Sequence, residues 1–117
     1  MNPTPSQPLN LFQYQTQSRQ TAIYPDKGKN FVYPALGLCG EAGEVAEKLK
    51  KVIRDKGGQV DDETRAALQK ELGDVLWYVS QLATELGLSL DAIAAGNLAK
   101  LRSRQQRDKL SGSGDDR

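Results

Sequence analysis

Glu41, Glu44, Glu71 and Asp74 are the residues through which this chain could do chemistry. They stand in two copies of one pattern: Glu41-Ala42-Gly43-Glu44-Val45 with Leu49 four residues on, and Glu71-Leu72-Gly73-Asp74-Val75 with Val79 four residues on. On a helix turning about 100° per residue, the two acids of each copy are neighbours and the valine-led apolar stripe lies beside them. Two such helices packed as an antiparallel hairpin bring four carboxylates together from two directions. Like charges so placed repel, so a cation is expected between them. Hard oxygen donors without histidine or thiolate favour Mg²⁺, with Mn²⁺ as a substitute, over Zn²⁺. Magnesium keeps waters and bridges to phosphates, which makes a polyphosphate the expected substrate.

A charged, solvated helix face is the competing reading, because Glu44 to Lys48 and Glu47 to Lys51 are ordinary i,i+4 salt-bridge spacings. Two features weigh against it. The pattern occurs twice in register with an apolar stripe, and each copy carries a mid-helix glycine costing about 0.5–1 kcal/mol relative to alanine. The three-residue spacing of Gly37, Gly40 and Gly43 also fits nothing more than close approach of another helix. Lys48 and Lys51 could neutralise phosphate oxygens or pair with Glu44 and Glu47. Glu47 could act as a base, but an outer salt bridge that orients a ligand ranks first.

Composition removes other chemistries. Histidine is absent, so the usual general base, the common zinc ligand and every Ser-His or Cys-His arrangement are excluded. With 16 Lys plus Arg against 15 Asp plus Glu, no global basic field gathers nucleic acid or anionic membrane. Cys39 is the single cysteine and falls among apolar residues, where it is expected as a small buried hydrophobe in a reducing, cytoplasmic setting. No stretch approaches the roughly 18 uncharged apolar residues of a membrane span, and the polar, proline-rich start has no apolar signal region. A soluble, unprocessed protein with neither nucleic-acid nor membrane partners is expected.

The elements that must position the acids are helices. Strand-like alternation is missing, whereas apolar residues recur at three- and four-residue steps, so the fold class is all-α, a bundle of about four helices. The first is expected from Leu9 to Ile23, with Asn10 as its cap and Leu9, Phe12 and Ile23 as its apolar contacts, before Tyr24-Pro25-Asp26-Lys27-Gly28 breaks it. The second runs from about Tyr33 to Asp55 with Leu38, Ala42, Val45, Leu49, Val52 and Ile53 on one stripe, and stops at Gly57-Gly58. The third begins near Asp61 or Asp62 and continues through Leu68, Leu72, Val75, Val79 and Leu82 to Leu86, where Gly87 closes it. Ser89 caps a fourth, Leu90 to about Lys109, with contacts at Ile93, Ala94, Leu98 and Leu101. The domain thus spans 9–109 between a flexible start, 1–8, and a flexible tail, 110–117. In that tail Gly112, Gly114 and Arg117 could wrap an anion, although linker is the better reading. A chain this short buries only about two thirds of its unfolded surface, so the bundle is expected to be completed by a second copy, as a homo-oligomer, dimer or tetramer. Trp77 points away from both the acids and the stripe and is expected at such a subunit contact.

The segments from Gly37 to Lys48, from Glu71 to Tyr78 and from Leu86 to Leu101, the last with its Asn97-x-x-Lys100, together resemble the MazG-like nucleotide pyrophosphohydrolases over about residues 30 to 109. The order and spacing of ExxE and ExxD both fit. The resemblance implies an all-α oligomer that splits a nucleoside triphosphate, ribo or deoxy, between the α and β phosphates, releasing the monophosphate and pyrophosphate, in a role such as sanitising the nucleotide pool. It also implies that Glu41, Glu44, Glu71 and Asp74 hold the metal, and that Tyr78, Asn97 and Lys100 contact the nucleotide. Tyr78 follows from geometry too, lying one turn beyond Asp74 on the same face. A phosphoribosyl-ATP pyrophosphohydrolase and a non-catalytic helical interaction module are the alternatives that the residues leave open.

Overall fold

Local signals set the helix ends. In a computed structural model of the chain, which describes residues 8–107, four α-helices form: α1 Leu11–Arg19, α2 Val32–Asp55, α3 Asp62–Glu85 and α4 Leu90–Gln106. No strand occurs among the described residues. Residues 1–7, Lys109 and the tail with Gly112, Gly114 and Arg117 lie outside them. Asn10 caps α1 in a reciprocal box with Gln13, Asp61 accepts the Thr64 N–H at 2.8 Å, and Ser89 accepts that of Ala92 at 3.3 Å. Each satisfies a donor that a first turn leaves without an internal partner. At the end of α3, Gly87 takes a φ of 70°, which lets the Leu88 N–H return to the Ala83 carbonyl at 2.8 Å and the Gly87 N–H to that of Thr84.

The two long helices α2 and α3 pack against each other along most of their length, α1 lies against α3, and α4 docks on α1. The α2–α3 pair is antiparallel: Gly37 faces Tyr78 at one end, Lys48 meets Glu71 in the middle, and Lys56 reaches Asp61 and Thr64 at the turn. At Gly37 a β-carbon would stand 2.2 Å from the Tyr78 ring, so the close approach expected of the glycine series is realised here by a side chain rather than a helix backbone. Nothing stands within 4 Å of such a carbon at Gly40, Gly43 or Gly73. Gly37→Ala is therefore expected to displace the Tyr78 ring and destabilise the chain by about 1–3 kcal/mol, read by urea unfolding, whereas Gly40→Ala should be at least as stable as the parent.

The interior between α1 and α3 is polar, and this corrects the expectation for α1. Leu9, Phe12 and Ile23 are exposed, Ile23 at 94%. The inward face instead carries Leu11, Tyr14, Gln15, Ser18 and Ala22, which keep helical spacing with few apolar side chains. Ser18 Oγ lies 2.9 Å from Ser80 Oγ, and Gln81 Nε2 donates to Ser18 Oγ at 3.1 Å. Ser80 and Gln81 are fully buried. Arg19 donates to Gln81, Tyr24 and Glu85, while Glu85 also accepts from the Tyr24 hydroxyl and from the backbone N–H groups of Gly28 and Asn30, both at 2.8 Å. One carboxylate thus ties α1 and the 24–30 connection to the end of α3. Burial pushes the Glu85 pKa up, but the hydrogen bonds from Tyr24, Asn30, Gly28 and Arg19 outweigh it and hold the carboxyl at about 2. This network also explains why α1 stops at Arg19: beyond it the chain turns so that Ala22 and Tyr24 are buried.

Other expected contacts are met in part. Val52 is buried, and Leu38, Val45, Leu68, Val75, Val79 and Leu82 are half-buried along the α2–α3 seam. Ala42, Leu49, Ile53, Leu72 and Leu86 are exposed, as are Ile93, Leu98 and Leu101 on α4. Cys39 is exposed rather than buried, because position 39 falls off the inward stripe of α2. Trp77 is half-buried within the chain: its Nε1 donates to Thr21 Oγ1 at 2.8 Å and its ring meets Tyr24 and Tyr78 edge-on.

Candidate metal centre

The copy of the acid pattern on α2 faces the copy on α3 because both helices turn their valine stripes into one seam. Glu41 from α2 and Glu71 and Asp74 from α3 each offer a carboxylate oxygen, and the three oxygens lie within 4.8 Å of one another. Glu44 stands one turn along α2 from Glu41, exposed and outside this trio, although its charge is felt at Glu41. The structure therefore brings three of the four expected ligands together and leaves the fourth at the rim.

The charges in the trio are unequal. A hydrogen bond to Glu71 raises the Glu41 pKa, and burial and the charges of Asp74, Glu71 and Glu44 push it further up. Glu71 is pulled down by that same hydrogen bond and by Lys48, whose Nζ lies 3.2 Å from Glu71 Oε1. The two carboxyls are thus shifted in opposite directions, Glu41 up and Glu71 down. The second Glu71 oxygen, Oε2, is buried without a hydrogen-bond partner. A buried carboxylate oxygen lacking a partner is costly, and a hard cation would satisfy it. The oxygen-only donor set and the orphaned Glu71 oxygen both fit Mg²⁺ or Mn²⁺.

A family model described as the MazG nucleotide pyrophosphohydrolase domain matches residues 34–107. The chain belongs to the MazG family. A relative, the Gene 37 protein of Mycobacterium phage L5, is 49% identical over 109 residues, covering 89% of this chain and 96% of that protein. No solved structure matches the chain. The matched segment of this MazG chain runs from the first turn of α2 to the end of α4 and contains every residue of the acid trio. It leaves out α1, the helix that supplies much of the polar interior.

Around the trio, the other expected site residues of the MazG domain fall into two groups. Tyr78 lies beside the acids: burial raises its pKa, and the Tyr33 hydroxyl and the Glu41 and Asp74 carboxylates add to the effect. Lys48 holds Glu71, not Glu44, whereas Glu47 keeps a helix-face pair, with Lys50 at i,i+3 and 2.9 Å in place of Lys51 at i,i+4. Lys51 is exposed near the α2–α3 turn, beside Lys48 in a cleft. Asn97, exposed, and Lys100, half-buried, lie on α4, whose packing is chiefly against α1; the acid trio is built without them.

Two tyrosines near the site were not singled out by spacing. Tyr33 stacks on Tyr24 with centroids 4.9 Å apart and stands 6.5 Å from the Tyr78 ring. Tyr14 on α1 has its pKa raised first by burial and then by Asp74, whose charge it feels. Their signals were present: Tyr33 is one turn before Gly37, and Tyr14 is one turn before Ser18 on the inward face of α1. Tyr14 is legible only once the polar face of α1 is taken as its packed side.

Proposed function

We propose that the chain is a Mg²⁺-dependent nucleoside triphosphate pyrophosphohydrolase that converts an NTP or dNTP and water to the monophosphate and pyrophosphate. The supporting observation is the trio of Glu41, Glu71 and Asp74 with its orphaned buried oxygen, in a chain of the MazG family. Glu41, Glu71 and Asp74 would hold the cation, with Glu44 completing the set from the rim. A bound Mg²⁺ withdraws charge from a triphosphate and lowers the pKa of a water. Lys48 fixes the Glu71 carboxylate through its 3.2 Å ion pair and stands ready for a phosphate oxygen. Tyr78 and the neighbouring Tyr33 offer aromatic faces for a base, and Asn97 and Lys100 are the further nucleotide contacts that the family pattern assigns.

The exposed apolar residues Leu72 and Leu76 on α3 and Leu98 and Leu101 on α4 support a homo-oligomer. Light scattering at micromolar concentration should give the mass of a dimer or tetramer; a stable monomer would count against it. The function is tested by incubating the protein with the common and deaminated triphosphates and following products by phosphorus NMR. One pyrophosphate should appear per monophosphate, with Mg²⁺ and not with chelator. Release of orthophosphate, or no turnover of any triphosphate, would overturn the proposal.

A further inference from the structure

Glu85 stands eleven residues beyond Asp74 on α3, about 16 Å along the helix axis, too far to touch a group held by the acids. Two of its partners nevertheless lead back to them. The Tyr24 hydroxyl donates to Glu85 Oε2, and the Tyr24 ring, only 6% exposed, stacks on Tyr33 with centroids 4.9 Å apart and planes 13° from parallel. A second route runs through the backbone. The Asn30 N–H donates to Glu85 Oε1 at 2.8 Å, and the Asn30 side chain accepts the Tyr33 N–H at 3.0 Å, serving a donor in the first turn of α2.

Both routes meet at Tyr33. It is 41% exposed, so its ring is not locked by burial and depends on the Tyr24 face beneath it and the Asn30 cap on its backbone. That ring stands 6.5 Å from the ring of Tyr78, whose hydroxyl feels the Tyr33 hydroxyl and the Glu41 and Asp74 carboxylates. The remaining bonds stiffen the frame. Gly28, at a φ of 97°, turns its N–H to Glu85, Arg19 brings in α1, and Asn30 Nδ2 donates to the Pro25 carbonyl at 2.9 Å.

We infer that Glu85 is a positioning residue for the acid centre: by holding Tyr24 and Asn30 it sets Tyr33 against Tyr78 and so fixes the ring wall offered to a base. The inference rests on the pyrophosphohydrolase reading and adds a residue that touches neither substrate nor metal. The chemistry of the position calls for a carboxylate. Donors from Arg19, Tyr24, Gly28 and Asn30 converge on its two oxygens, and a carboxylate accepts on both, whereas an amide accepts on one only. A glutamine here turns its NH₂ either against the Asn30 N–H or against the donors on the other oxygen, so one of the two routes to Tyr33 is lost.

Glu85→Gln should raise KM about tenfold for the triphosphate that the parent turns over fastest, the scale of one lost stack between a base and a ring, with kcat little changed because the acid trio is untouched. Asn30→Ala should raise KM in the same way, and Asn30→Asp, which keeps an acceptor for the Tyr33 N–H, should restore most of the loss. Asp61→Ala, which removes a cap at the opposite end of α3, should lower the melting temperature without moving KM. In a Tyr33→Ala background, Glu85→Gln should add less than about twofold, because the residue it acts through is gone. Near-UV circular dichroism reads the wall without substrate, since three of the four tyrosines and the single tryptophan make it up. Glu85→Gln should weaken that signal while the far-UV helix signal holds. An unchanged KM or near-UV signal in Glu85→Gln, an equal rise of KM in Asp61→Ala, or a full further rise in the Tyr33→Ala background would overturn the inference. No turnover by the parent removes the activity and this role with it, whereas turnover with a KM indifferent to Glu85→Gln removes the role and leaves the activity.

Discussion

Asp74→Ala is expected to reduce pyrophosphate release roughly a thousandfold, since the several kcal/mol of charge stabilisation that a bound cation supplies converts at 1.36 kcal/mol per tenfold in rate. The same variant should melt no lower than the parent when Mg²⁺ is absent, because it relieves the charge that helps push Glu41 up. The two readouts separate a metal ligand from a structural acid, which would lower melting and activity together. Glu41 adds a pH signature. Its folded pKa lies above the unfolded value of about 4.3, so its contribution to stability is present below that value and is lost as pH rises through the raised pKa. At higher pH the metal-free trio carries more charge, and added Mg²⁺, which binds ionised carboxylates, should raise the melting temperature more at pH 8 than at pH 5. A Mg²⁺ shift independent of pH, or full activity in Asp74→Ala, would remove the metal centre.

The second large effect lies away from the acids. Glu85→Ala leaves the Arg19 guanidinium, the Tyr24 hydroxyl and two backbone N–H groups facing a site whose side chain is only 1% exposed. Removing one partner of a buried pair costs about 3–5 kcal/mol. At roughly 4–8 °C per kcal/mol for a domain near this size, the melting temperature should fall by more than about 10 °C. Glu85 carries the opposite pH sign from Glu41. With its folded pKa near 2, its stabilisation is complete above about pH 4.3 and is lost as pH falls toward 2. Glu85→Gln keeps the shape and part of the hydrogen bonding, so it should lose less stability and show a flatter acid limb in thermal melts from pH 2 to 5. An unchanged acid limb would assign the stabilisation to packing and not to the carboxylate.

Helix content, the ends of α2 and α3, the start of α4 and the pairing of the two acid patterns were legible along the chain, because each rests on local chemistry. Asn10, Asp61 and Ser89 cap where a side-chain oxygen meets free N–H groups, and Gly87 turns where a side chain would be strained. The repeated acid-glycine-acid-valine register pointed to one seam, and the seam formed. The tertiary structure alone decided that Ser18, Arg19, Ser80, Gln81 and Glu85 form the interior beside α1. Hydrophobic periodicity is blind to polar side chains that satisfy one another. It also decided that Glu71 takes Lys48 while Glu44 stays at the rim, that Gly37 makes room for Tyr78, and that the Trp77 Nε1 donates to Thr21. Each of these depends on the distance between atoms far apart in sequence, which spacing along one helix does not contain. Helix propensity and capping act within a few residues, whereas the asymmetry of the acid trio arises only when α2 and α3 lie side by side.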